Sequence, residues 1–126
     1  MRRLSGVLVL LAVLAAATPA LASRAPSAGE KQAITQAIKN SLKDSGSPAA
    51  GKAHVHGIRV STKDARWGFA LVSAPNTDQA YVALRKRGST WRVRGLGTAM
   101  VQCGIGMPRA VMNELFAKYG GASCPT

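Results

Sequence analysis

Between His54 and Leu96 apolar and polar positions alternate in four short runs, the two-residue period of β-strands. His56, Ile58 and Val60 alternate with Gly57, Arg59 and Ser61. Trp67, Phe69 and Leu71 alternate with Gly68, Ala70 and Val72. Val82, Leu84 and Lys86 alternate with Ala83, Arg85 and Arg87, and Trp91 and Val93 alternate with Arg92 and Arg94. Thr62-Lys63-Asp64-Ala65, the stretch around Pro75-Asn76 and the dipeptide Gly88-Ser89 separate the runs, and the last suits a two-residue hairpin turn. These spacings predict a four-stranded antiparallel meander.

A one-residue slip would turn every side chain of a strand to the other face, so the registers constrain one another. A Gly88-Ser89 turn sets Leu84 opposite Val93 and Arg85 opposite Arg92. A four-residue first loop sets Ile58 opposite Phe69 and Val60 opposite Trp67, and Phe69 opposite Leu84 joins the two halves. The expected inner face reads Val60–Trp67–Lys86–Trp91, Ile58–Phe69–Leu84–Val93 and His56–Leu71–Val82–Gly95. The outer face then reads Ser61–Arg66–Arg87–Thr90, Arg59–Gly68–Arg85–Arg92 and Gly57–Ala70–Ala83–Arg94.

The period changes on either side of the strands. Ser27 and Glu30 have the spacing of a capping box, and Ile34, Ala37, Ile38, Ser41 and Leu42 follow at helical intervals. Lys43 suits the helix end, and Gly46 and Pro48 stop it. The apolar face is thin and lacks aromatics, which fits core packing better than membrane binding. After the glycine-rich stretch from Leu96 to Met107, Pro108 suits a first helical position, and Val111, Met112, Leu115, Phe116 and Tyr119 form a second stripe ended by Gly120-Gly121. The expected fold class is α+β, with an N-terminal and a C-terminal helix on the apolar face of the meander and the other face open.

The start of the chain stands apart from this pattern. Arg2 and Arg3 precede the apolar run Val7 to Ala17, and Ala20-Leu21-Ala22 has the small-x-small form of a cleavage site. This is a signal peptide over residues 1–22, too short in its apolar part for a membrane span of ~20 residues. Residues 23–29 read as a flexible leader and 30–126 as one domain. No later run is long enough to span a membrane, so no transmembrane segment is expected after removal of the signal. Removing Arg2 and Arg3 from 17 basic residues leaves 15 against 5 acidic ones, a net +10. In an exported chain, Cys103 and Cys124 read as a disulfide rather than a metal or redox pair, because there is no C-x-x-C spacing.

Charge sharpens the outer face. Arg59, Arg66, Arg85, Arg87, Arg92 and Arg94 fall on it, above a low floor of Gly68, Ala70 and Ala83. Like charges opposite each other destabilise a sheet, as with Arg85 and Arg92. Guanidinium groups grip carboxylates and phosphates in two-pronged fashion, so the expected function is binding an anionic polymer or lipid surface of the cell envelope. The alternative is an inhibitor or accessory protein that binds another exported protein through the Trp67/Trp91 edge and loops. Lys86, set between those two tryptophans, would pack as a rim residue.

Catalytic and cofactor chemistry finds little support. His54 and His56 could offer two metal ligands, but zinc takes three or four and no further ligand lies near in sequence. The acids Glu30, Asp44, Asp64, Asp78 and Glu114 fall in no readable motif, and Gly95-x-Gly97 does not open a helix. The chain is read as a non-enzyme without metal or other cofactor and without specific nucleic-acid recognition, secreted or associated with the cell wall.

The series Asp64-x-Arg66-Trp67, Trp91-x-Val93-x-x-x-Gly97, Cys103, Pro108-x-x-Val111 and Cys124 resembles a group of small exported actinobacterial proteins of unknown function. The resemblance spans most of the mature chain and implies the fold and export, with nothing catalytic. A helix on a curved antiparallel sheet is also loosely similar to cystatin and nuclear-transport-factor architectures, with no shared motif.

Overall fold

The structure, a computed structural model, describes residues 22–125; the expected signal peptide lies outside the described residues except for Ala22. Helix α1 (Ala28–Asp44) is followed by strands β1 (His54–Val60), β2 (Trp67–Ser73), β3 (Ala80–Arg87) and β4 (Thr90–Gly97). Helix α2 (Arg109–Leu115) and a 3₁₀ turn (Ala117–Tyr119) complete the chain. The strands form one sheet in the order β1-β2-β3-β4, each antiparallel to the next.

The helices do not share a face of that sheet, as the sequence pattern suggested. Ile34, Ile38 and Leu42 of α1 pack with Ile58, Val60, Ala70, Val72, Val82, Leu84 and Trp91. Val111, Met112, Leu115 and Phe116 pack with Trp67, Phe69 and Ala83 on the opposite face, together with Val101 and Met107. The result is three layers: α1, the sheet, and the C-terminal segment with α2.

The difference arises in β2, whose sequence WGFALVS is apolar on both sides. A strand buried on both faces carries no alternation that identifies the inner one. Its large residues, Trp67, Phe69 and Leu71, lie on the α2 side, and its small ones, Gly68 and Ala70, lie under α1. The registers follow. Val60 opposes Gly68 rather than Trp67, and Phe69 opposes Arg59 and Ala83 rather than Ile58 and Leu84.

A β-bulge between His56 and Arg59 absorbs the slip in β1, with Gly57 at a φ of +59° that favours glycine. The expected pairs Leu84–Val93, Arg85–Arg92, Lys86–Trp91 and Arg87–Thr90 are all present, and Arg94 is the extra residue of a second bulge that sets Val82 opposite Leu96 instead of Gly95.

Small residues let each outer layer approach the sheet. A Cβ on Gly68 would lie 3.2 Å from the Trp91 indole, which reaches over it on the α1 side. A Cβ on Gly95 would lie 2.2 Å from the carbonyl oxygen of Val101. The glycine-rich segment therefore crosses directly over β4 on the α2 side. Buried Gln102 donates its amide to the Gly121 carbonyl at 3.2 Å, and Cys103 is joined to Cys124 by a disulfide with Cα atoms 5.6 Å apart. Phe69 meets Phe116 edge to face at 5.0 Å and stacks with Tyr119 at 5.6 Å, and Tyr81 meets Tyr119 at 4.4 Å. Such pairs add about 0.5–1.5 kcal/mol each beyond area burial.

The segment expected as a flexible leader is tied down. Arg24 and Val60 exchange two backbone hydrogen bonds of 2.9 Å, extending the sheet past β1. Arg59 donates to the Ser23 hydroxyl and carbonyl. Arg24 forms a two-pronged bond to Glu30, at 2.6 and 2.8 Å, and Glu30 also closes the capping box with Ser27. The hydrogen bond from Arg24 is the main cause that holds the Glu30 carboxyl down to about 2, against the opposing effect of burial.

A lowered carboxylate pKa stabilises the fold above its unfolded value and ceases to do so as pH falls through the folded one. The stability difference between the native chain and Glu30→Gln should therefore be full above pH ~4.5 and shrink between there and about 2, followed by urea unfolding across that range. Separately, Gly95→Ala should cost roughly 1–3 kcal/mol by overpacking in the same assay, whereas Gly51→Ala, with open space around it, should shift stability by less than about 0.5.

Candidate functional site

The six arginines expected on one open face are divided by the observed register, and the face itself is covered. Arg59, half-buried, is held by Ser23 at the β1 edge. Arg66 is bound in two-pronged fashion to Asp64 at 2.9 and 2.8 Å, so a carboxylate does neutralise part of this charge. The Arg66 hydrogen bond keeps the Asp64 carboxyl low against burial, with the charge of Arg85 adding to the effect. Arg94 is exposed in the β4 bulge.

Arg85, Arg87 and Arg92 remain together. Alternation along β3 and the pairing of Arg85 with Arg92 put all three on the α2 side, at the end nearest the β3–β4 hairpin. The C-terminal layer packs against Trp67 and Phe69, and Arg87 and Arg92 stay exposed at its margin. Trp67, Arg85 and Arg92 form one cross-strand row. Trp67 is 2% exposed, and the Arg85 guanidinium lies over its indole, 5.3 Å from the ring centroid. The Arg85 Nε is buried without a hydrogen-bond partner.

The indole holds the Arg85 guanidinium by a cation–π contact, and Arg87 and Arg92 beside it are exposed. None of these three is in an ion pair among the described residues. Preorganised, unpaired guanidinium groups in a row can accept a multivalent anion with little loss of side-chain freedom.

Lys86 does not lie between the two tryptophans as the expected register had it. Lys86 pairs with Trp91 on the α1 side, Trp67 faces the other way, and both indoles are buried. His54 and His56 stack with centroids 5.2 Å apart, and His56 Nε2 lies 2.8 Å from Ser73 Oγ. Among the described residues no three His, Cys, Asp or Glu side chains come together, and no carboxylate is hydrogen-bonded to either histidine.

A second polar centre had no sequence signal. Glu114, half-buried on α2, accepts the hydroxyl of fully buried Ser61, and both the hydroxyl and the N–H of Thr62. Ser61 in turn accepts from the N–H groups of Lys63 and Asp64. Burial alone would raise the Glu114 pKa, but the combined hydrogen bonds from Ser61, Thr62 and the Lys63 backbone lower it. The partners are more than fifty positions apart, with Glu114 on the polar side of a short helix, so neither spacing nor residue type could have joined them. Beside this centre, Phe69, Leu71 and Tyr119 floor a groove of about 320 Å³ edged by Arg59, Glu114 and Lys118.

Among the described residues no helix is long and apolar enough to cross a membrane. Comparisons with protein-family models, with curated proteins and with solved structures find no match for this chain.

Proposed function

We propose that the protein is an exported, non-enzymatic binding protein whose Arg85, Arg87 and Arg92 grip an anionic polymer or lipid surface of the cell envelope. The observation that carries this reading is Arg85 lying over buried Trp67 with its like-charged neighbour Arg92 directly opposite and, among the described residues, no carboxylate paired to either. Like charges opposite one another cost stability in a sheet, and an anion bound between them removes that repulsion. The net charge of +12, or +10 after loss of Arg2 and Arg3, draws such partners from a distance. The disulfide agrees with life in an oxidising compartment outside the cytosol.

Arg87→Ser combined with Arg92→Ser leaves the Trp67 stack untouched. It should move elution from heparin and release from anionic vesicles to clearly lower salt. Lys31→Ser with Lys39→Ser, exposed on α1, removes the same charge elsewhere and should move elution much less. Equal shifts for the two pairs would reduce the binding to net charge and overturn the site.

A further inference from the structure

We propose that Thr62 and Glu114 form a preformed site for the chain's own new N-terminus, an α-ammonium released at Ser23 by cleavage after Ala22. The proposal rests on the cleavage position expected from sequence and is independent of the arginine cluster.

The geometry around Thr62 motivates it. Its hydroxyl lies 3.3 Å from the Ala22 carbonyl and 2.5 Å from Glu114 Oε2. A hydroxyl carries a single proton, so in the uncut chain two acceptor oxygens compete for one donor. Ser23 is held beside them. Its carbonyl and hydroxyl both accept from Arg59, Arg24 pairs with Val60 immediately after it, and Ser23 and Glu114 line the same groove.

Hydrolysis by a signal peptidase breaks the Ala22–Ser23 amide. Water supplies the hydroxyl to the Ala22 carbonyl carbon and a hydrogen to the Ser23 nitrogen. At neutral pH the new acid gives up its proton and the amine takes one up. The competing carbonyl leaves with the signal peptide, and three N–H donors replace it beside the Thr62 hydroxyl and the Glu114 carboxylate.

The charged groups that line the groove with Ser23 are Glu114 from α2, Arg59 from β1 and Lys118 of the 3₁₀ turn. The Arg59 guanidinium is directed at the Ser23 carbonyl and hydroxyl, whereas Glu114 offers the acceptor. The ammonium would thus close a chain of bonds from the N-terminus through the β1–β2 loop to α2, and processing would complete the fold.

The test begins with the chain exported under its own signal, whose mass should correspond to a start at Ser23. Its α-amine is then titrated by NMR, native and in urea, beside the same chain acetylated at the N-terminus. The native amine should titrate about one unit above the ordinary 7.7–8.0, a tenfold gain in proton affinity. A raised pKa stabilises fully below the unfolded value. The free-amine form should therefore melt above the acetylated form at pH 7, and this advantage should vanish as pH rises through the folded value. Glu114→Gln should pull the amine below its native value, because Arg59 and Lys118 then dominate. Acetylation provides the same test without touching Glu114, should that variant not fold. A different first residue, an amine with the ordinary pKa, or identical melting of the two forms would overturn the proposal.

Discussion

Burial of β2 on both faces is the constraint from which the other features follow. Once Trp67, Phe69 and Leu71 face one way and Gly68, Ala70 and Val72 the other, the sheet has two apolar sides, and a chain of this size must cover both. The α1 helix covers the smooth side, where small residues allow the Trp91 indole to lie across Gly68. The rough side, with its large side chains, needs an adaptable cover. The glycine-rich stretch, α2 and the 3₁₀ turn supply one, and the disulfide fixes that cover at its two ends.

That division also decides where charge can collect. The C-terminal layer is short and shields only part of its side of the sheet. Cationic side chains in the shielded rows must be held by neighbours, as Ser23 holds Arg59. Those at the hairpin end can stay unpaired, their stems packed and their heads in water. Arg85 spans both conditions, with a buried Nε and a guanidinium resting on an aromatic face. The basic character of the chain is thus narrowed by folding from six candidate arginines to a row of neighbours with a defined orientation.

How much of this was legible in the sequence differs by element. The α1 capping box, the strand order, the Gly88-Ser89 hairpin and the cysteine pair depend on local spacing or on counting, and all are present. The face assignment of β2 was not legible, because a strand apolar on both sides has no polar residues to mark the solvent side. The bulge at Gly57 shifts the β1 pairings beyond it, whereas His56 keeps its expected partner Leu71. The ties of Ser23 and Arg24, and the Glu114 centre, join residues distant in sequence through ordinary polar groups, which only the three-dimensional arrangement brings together. Of the candidate site, the Arg85–Arg92 pairing was readable from the hairpin, while its stacking on Trp67 depended on the missed inversion of β2.

The β4 bulge at Arg94 has a consequence for colloidal behaviour. β4 is an edge of the sheet, and an exposed edge strand is a template for pairing with another copy of the same chain. Here the outermost strand carries Arg92 and Arg94, and the extra residue breaks its regular spacing. Two copies meeting edge to edge would bring guanidinium groups together on an irregular ladder. The irregularity and the charge both oppose that encounter, so the arginines of this edge help keep the copies apart from one another.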